Sequence, residues 1–289
     1  MSEMRLRTMP LAGKRILVTR AREQAGVLSE SLRSLGAQPV ELPVIRIVPP
    51  EDWSPLDRAL RALADNAVYD WLILTSANGV RMVLERLSAL GVDPQALAAV
   101  RIATIGPATA AALEKQGLSA ALVPDEYIAE GVAQALRREA TRRGETLAGQ
   151  RILLARAAEA RRVLVTELEQ AGAHVEVVPA YQTLPVAQDD VRGREVIALL
   201  RQQKLDIITF TSSSTVHHFM YWLSQSAPDT AILLAYPGKQ PARPLIACIG
   251  PITAQTARDY GLEVGVEARE FTTASLVEAL ITYEETQRT

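Results

Sequence analysis

Six short phrases in this 289-residue chain carry side chains suited to holding an anion. They are TRARE (19–23), TSANG (75–79), IGPAT (105–109), ARAAE (155–159), TSSST (211–215) and IGPIT (249–253). Each follows a short apolar run and precedes a helix-like run. In the two IGPxT phrases, Gly106 and Gly250 allow a tight turn and close backbone approach. Pro107 and Pro251 suit the first helical position, where the missing N–H costs nothing. Thr109 and Thr253 then fall in the first helical turn, where free N–H groups and the helix dipole favour negative charge. Thr75, Ser76 and Asn78, and again Ser212, Ser213 and Ser214, add polar groups at equivalent sites. Taken singly, each phrase reads first as an ordinary helix cap. Four such termini with duplicated hydroxyls point instead to a polyanionic ligand held between domains.

Two further residue types stand out. Arg20 and Arg156 each end the first strand of one half, and two readings are open. They meet ligand carboxylates, or they cap a sheet edge and pair with nearby acids. Tyr181, in PAYQT, follows a strand and has no tyrosine counterpart near Val44. It is either a loop anchor or a functional group where the chain passes between domains.

Other chemistries lack their signatures. No GxGxxG follows Ile16–Thr19 and no GxxxxGK[ST] occurs, so the nucleotide loops are absent. No GxSxG elbow occurs. His217 and His218 are adjacent, point about 100° apart on a helix and chelate poorly. Cys248 is the single cysteine; it rules out a disulfide framework and a cysteine zinc site and reads as a small core residue. The net charge of −2 and 4% aromatics argue against nucleic acid as a partner. No signal peptide and no apolar run of about 18 residues is visible, so the expectation is a cytoplasmic chain with no membrane contact.

The elements that must position these groups come in two copies. RILVTRAREQAGVLSESLRSLGAQPVELP from Arg15 matches RILLARAAEARRVLVTELEQAGAHVEVVP from Arg151, and DWLILTSANGV from Asp70 matches DIITFTSSSTV from Asp206. The IGPxT phrases follow at a larger offset, and the extra residues fall in Ser224–Pro244, whose Pro and Gly content predicts a surface loop. A repeat of this length means a duplicated domain, as solenoid repeats are far shorter. Strand-like runs at Ile16–Thr19, Trp71–Thr75 and Arg101–Ile105 alternate with amphipathic runs such as Ala25–Leu35, with Leu28, Leu32 and Leu35 on one face. Gly36, Gly91, Gly117, Gly172 and Gly261 sit where helices should end. The alternation predicts two flavodoxin-like, doubly wound parallel-sheet α/β domains. Pattern leaves two partitions open. The halves are sequential, split near Arg138–Gln150, or interleaved, with crossings near 44–52 and 180–188.

The ordered set KRILVTRA, LILTSANGV, IGPATAAAL, PAYQT, ITFTSSSTV and IGPITAQTA resembles the uroporphyrinogen-III synthase family, from about Leu11 to Leu280. The resemblance implies the interleaved arrangement: one domain from 1–48 and 186–289, a second from 49–185, joined by a two-stranded linker. It implies an enzyme that takes hydroxymethylbilane, a linear tetrapyrrole with eight carboxylates supplied by the preceding enzyme of the pathway. Ring D is inverted and the macrocycle closed with loss of water, by way of an azafulvene cation and a spiro-pyrrolenine. No cofactor and no metal are implied, and a monomer is. By the same resemblance Tyr181 assists departure of the hydroxyl, while Thr109, Ser212 and Thr253 line the cleft. A basic cleft for such an anion would draw on Arg20, Arg156, Arg22 and Lys14. The alternative is a non-enzymatic tetrapyrrole sensor of the same fold. Such a sensor is expected to carry an added DNA-binding domain, for which nine residues after Leu280 leave no room.

Overall fold

The computed structural model describes residues 9–66, 68–186, 191–235 and 244–287. In chain order its elements are β1 (Arg15–Val18), α1 (Arg22–Ser34), β2 (Gln38–Glu41), β3 (Ile45–Val48), α2 (Ser54–Asn66), β4 (Trp71–Leu74) and α3 (Ala77–Ala89). A short 3-10 segment (Pro94–Ala99), β5 (Arg101–Thr104), α4 (Pro107–Glu114), α5 (Ala129–Arg142), β6 (Arg151–Ala157), α6 (Val163–Gln170) and β7 (His174–Pro185) follow. The last are α7 (Val191–Arg201), β8 (Ile207–Phe210), α8 (Ser213–Ser226), α9 (Pro228–Ala235), β9 (Leu245–Cys248), α10 (Pro251–Asp259), β10 (Val264–Glu267) and α11 (Thr273–Thr286).

Two five-stranded sheets result, β10-β9-β8-β1-β2 and β3-β7-β6-β4-β5. The chain divides into two compact units that are interleaved in sequence: residues up to Arg46 together with those from Leu184, and Ile47–Thr183. The chain passes between the units twice, in β3 and in β7, and those two strands are neighbours in one sheet.

The strand register shows how the two repeats are used. In the first unit β1 pairs in parallel with β2 and β8, and β8 with β9. In the second unit β6 pairs in parallel with β7 and β4, and β4 with β5. Ile16↔Ile207 corresponds to Ile152↔Trp71, and Arg15↔Gln38 to Arg151↔His174. The opening strand of each repeat therefore pairs with a strand of the other repeat, β1 with β8 and β6 with β4. Read as β2-β1-β8-β9-β10, the first sheet has the flavodoxin order 2-1-3-4-5. The second repeats it as β7-β6-β4-β5, with a single parallel bridge between Ala103 and Leu122 where β10 would stand.

Each cross-repeat pairing starts with the same device. Arg15 N–H donates to Asp206 Oδ2 at 2.7 Å, and Arg151 N–H donates to Asp70 Oδ2 at 2.8 Å. The reciprocal main-chain bonds, Asp206 N–H to Arg15 C=O and Asp70 N–H to Arg151 C=O, measure 2.9 Å and 2.8 Å. Beyond this start β4 (WLIL) and β8 (IITF) are wholly buried, as parallel strands covered on both faces must be. In the second unit Leu72, Leu74, Leu153 and Val178 pack on one face with Val80 and Val83 of α3. Ile73, Ile152 and Leu154 pack on the other with Leu136 of α5 and Leu168 of α6. Helices end where glycine permits a left-handed backbone; Gly36 and Gly172 have φ of 88° and 84°.

One expectation changes, one open alternative closes and one gains its physical reason. Part of Ser224–Pro244 is helical, because α9 packs on α8 and buries Ala231, Leu234 and Ala235. The stretch "DTAILLA" is apolar and free of Gly and Pro; 236–243 lies outside the described residues. Arg138–Gln150 is no boundary, since α5 runs through to Arg142 within the second unit. At both IGPxT phrases the chain bends, with Gly106 and Gly250 themselves in extended backbone at φ of −178° and 168°. The close approach that glycine permits is by a side chain. A Cβ on Gly106 would lie 3.1 Å from the Tyr127 ring, and one on Gly250 would lie 2.7 Å from the Phe271 ring. The two aromatics are related by the same offset as the two glycines.

Gly250→Ala should lower stability by about 1–3 kcal/mol through overpacking, and by more than Gly106→Ala, read as the shift in urea midpoint. Asp206→Ala and Asp70→Ala should each cost about 1 kcal/mol, as exposed carboxylates capping one N–H. A pair of variants as stable as the parent would show that these carboxylates do not hold the register.

Candidate functional site

In open parallel α/β sheets, ligand groups gather past the carboxyl ends of the strands. In the second unit that edge carries Thr75, Ser76 and Asn78 after β4, Thr109 after β5, Arg156 at the end of β6 and Tyr181 in β7. In the first unit it carries Arg20 after β1, Ser212, Ser213 and Ser214 after β8, and Thr253 after β9.

Tyr181 is the centre of the most developed cluster. The β6–β7 register slips between Arg156 and Ala157, so that Ala157 faces Tyr181. A bulge of this kind re-aims a side chain. Here it breaks the strand alternation, and Ala180 and Tyr181 both join the core on the α3 side. The phenol is 7% exposed and its oxygen lies 2.9 Å from Ser76 Oγ. Asn78 is a second hydrogen-bond partner. Ser76 is also the N-cap of α3, accepting the Gly79 N–H at 3.0 Å. One hydroxyl thus ties the phenol to the start of a helix. Ala158 N–H donates to the Tyr181 carbonyl at 2.9 Å, which fixes the backbone behind the ring. Burial pushes the phenol pKa above its usual value, and the Ser76 and Asn78 hydrogen bonds offset part of that rise. Tyr181 is therefore a neutral hydrogen-bonding hydroxyl over the whole physiological range, not a phenolate.

The equivalent position in the other unit is built differently. Ser212 caps α8 in a full capping box: its Oγ accepts the Thr215 N–H at 3.2 Å, and Thr215 Oγ1 accepts the Ser212 N–H at 3.3 Å. Ser213 Oγ accepts from Thr256 Oγ1 at 2.8 Å; Thr256 lies within IGPITAQTA, one helical turn past Ile252, and was not among the expected site residues. Ser214 and Thr75 are half-buried, as is Arg20. Thr109 and Thr253 are 4% and 5% exposed, at the third positions of α4 and α10, and neither helix has a side-chain cap. Burial lowers the pKa of Arg20. Arg156 is buried and donates from Nη1 to the Arg161 carbonyl at 2.6 Å. Burial, and then the charge of Arg162, lowers its pKa.

Some expected groups sit elsewhere. Lys14 lies at the amino end of β1, where it pairs with Glu284 at 2.9 Å, so it belongs to the opposite edge of the sheet. The side chain of Arg22 lies outside the described residues. Cys248 is fully buried in β9 and its thiol is pushed up to about 12 by burial and by Glu267, so it stays a thiol. Nδ1 of His217 lies 3.0 Å from the Tyr260 hydroxyl. Among the described residues no three His, Cys, Asp or Glu side chains form a group that could hold a metal ion, and no helix is long and apolar enough to cross a membrane.

Two interleaved flavodoxin-like units with hydroxyl side chains along their strand edges define a doubly wound α/β protein. The family model described as uroporphyrinogen-III synthase HemD matches residues 26–278. The chain is 37% identical over 275 residues to a protein of Synechococcus elongatus named uroporphyrinogen-III synthase, covering 94% of this chain and 96% of that one. It is 34% identical to the porphyrin biosynthesis protein HemD of Ruminiclostridium josui, covering 94% of this chain and 49% of that one. A solved mutant uroporphyrinogen III synthase of Thermus thermophilus superposes with a TM-score of 0.62 at 20% identity, over 95% of this chain and 100% of that one; this supports the fold alone. The chain belongs to the uroporphyrinogen-III synthase family.

Ser76→Ala and Ser212→Ala should each cost about 1 kcal/mol as lost helix caps, read from denaturation midpoints. Ser76→Ala should also move the Tyr181 phenol pKa further up, because a hydrogen bond that lowers it is gone. Tyrosinate absorbance, compared with a Tyr181→Phe background, measures this. A downward shift would contradict the assigned contact.

Proposed function

We propose that this chain is a uroporphyrinogen-III synthase: it takes hydroxymethylbilane, inverts ring D and closes the macrocycle with loss of water. The observation that carries the reading is the Tyr181–Ser76–Asn78 cluster at the carboxyl edge of a parallel sheet, in a chain of this family.

The chemistry asks little of a strong acid or nucleophile. The C–O bond of the hydroxymethyl group breaks and its hydroxyl leaves with a proton as water, the CH2 staying on the pyrrole. A hydrogen bond to that oxygen assists the cleavage, and the proton is returned when ring D rearomatises after closure. A neutral phenol, held at fixed orientation by Ser76 and Asn78, donates that bond. Departure leaves an azafulvene cation, delocalised over the pyrrole and strongly electrophilic. The substituted carbon of ring D attacks it and gives a spiro-pyrrolenine. Fragmentation and closure at the other carbon invert the ring. The protein's task after ionisation is to hold ends of a flexible chain in the geometry that favours this attack over direct closure. Carboxylates of the substrate suit the uncapped starts of α4 and α10, at Thr109 and Thr253. Thr75, Ser212, Ser213 and Ser214 supply hydroxyls along the same edges, and Arg20 and Arg156 supply positive charge. The reading takes the protein as a monomer in the cytoplasm. It receives its substrate from the preceding enzyme of the pathway and uses no cofactor.

The test supplies hydroxymethylbilane, oxidises the products and separates the porphyrin isomers. Type III is expected; type I alone, the product of spontaneous closure, would overturn the reading. Tyr181→Phe should slow type III formation about tenfold, the worth of one hydrogen bond made in the transition state. Unchanged turnover removes the residue from the mechanism. The donating form of the phenol persists at every pH below its pKa. Because that pKa is raised, the Tyr181-dependent part of the rate should show no fall from ionisation up to about pH 10.

A further inference from the structure

Arg156 is 7% exposed, yet its guanidinium is poorly compensated. Nη1 is used by the Arg161 carbonyl at 2.6 Å, and Nε is buried without a hydrogen-bond partner. Among the described residues no carboxylate pairs with it. A buried cation with an unmade hydrogen bond is costly unless an anion completes it. Nε is enclosed, so the guanidinium nitrogen left to meet an anion is Nη2, which makes no hydrogen bond and is not enclosed.

The helix beside it points the same way. Nη1 of Arg156 holds the carbonyl just before α6, whose N-cap is Arg162 and whose first turn contains no acid. No side chain caps its N–H groups. At the start of α6 the chain places Arg161 and Arg162, and Arg156 reaches the Arg161 carbonyl. The one acid in the same loop, Glu159, turns to the Thr183 N–H at 3.4 Å. The loop is tied to the Tyr181 backbone through Ala158.

We infer that Arg156, Arg162 and the first turn of α6 form a carboxylate-binding subsite beside Tyr181, which takes one carboxylate arm of the tetrapyrrole. The occupant rests on the function proposed above; the anion site rests on the local geometry. Arg156 meets the arm through Nη2, the exposed Arg162 adds charge, and the free N–H groups of α6 complete the shell. Holding an arm here fixes the substrate against the strand that carries the phenol.

Arg156→Gln and Arg162→Gln are compared with Arg142→Gln, an exposed control paired with Glu139. Two readouts are used: KM and kcat for hydroxymethylbilane, and equilibrium binding of uroporphyrin I, a stable octacarboxylate, by fluorescence. Arg156→Gln should raise KM and weaken porphyrin binding about tenfold or more, as loss of a charged hydrogen-bond pair does. Arg162→Gln should do so a few-fold, and Arg142→Gln not at all. If both arginine variants keep the parent's KM and porphyrin affinity, the subsite is overturned while the synthase reading stands. If the parent forms only type I product, the synthase reading falls, and porphyrin binding alone decides the subsite. Should Arg156→Gln fail to fold by circular dichroism, Arg162→Gln decides, because its exposed side chain makes no hydrogen bond or ion pair among the described residues.

Discussion

Everything in this protein depends on two strand pairings that join one repeat to the other. Each begins with an aspartate side chain holding the first N–H of a strand that lies far away in sequence, Asp206 with Arg15 and Asp70 with Arg151. The carboxylate aligns β1 with β8 and β6 with β4, and the register that follows places each strand's carboxyl end level with its neighbour's. A one-residue slip would turn every side chain of the fully buried strands WLIL and IITF to the opposite face. The polar phrases after those strands share an edge only because the register is held.

Duplication accounts for what the units share and makes their differences informative. Both use a serine as N-cap after the third strand of the sheet order, Ser76 and Ser212. Both press an aromatic ring onto the IGPxT glycine, Tyr127 onto Gly106 and Phe271 onto Gly250. The units part at Tyr181. A bulge in β7 turns this ring into the α3 side of the core, where its hydroxyl reaches the cap serine. The other unit closes its cap serine within a capping box instead. One copy keeps its serine for structure, and the other lends it to a phenol.

Local signals in the sequence were legible wherever the physics is local. Apolar runs became strands, Leu28 and Leu32 became the buried face of α1, and the glycines at 36 and 172 took positive φ at helix ends. Family motifs named the edge residues. Contacts between distant segments were not legible in the same way. The bend at Gly106 and Gly250 was legible, but not that a ring about 20 residues on is what approaches each glycine. The helix at Pro228–Ala235 was hidden by the prolines and glycine that follow it. Thr256, the partner of Ser213, stands inside IGPITAQTA, but nothing local marks it as a partner of a residue 43 positions away.

By itself the sequence determined that the chain is duplicated, that each copy alternates strands and helices, and which polar phrases follow the strands. Those features rest on periodicity and on caps, which act within a few residues. Only the tertiary structure decided that each repeat lends its opening strands to the other's sheet. It likewise decided that a bulge turns Tyr181 onto Ser76, and that Arg156 is buried against a carbonyl with one nitrogen left over. These depend on pairing and burial between segments more than a hundred residues apart or across a loop, and the free energy of such contacts is not written in any one stretch of chain.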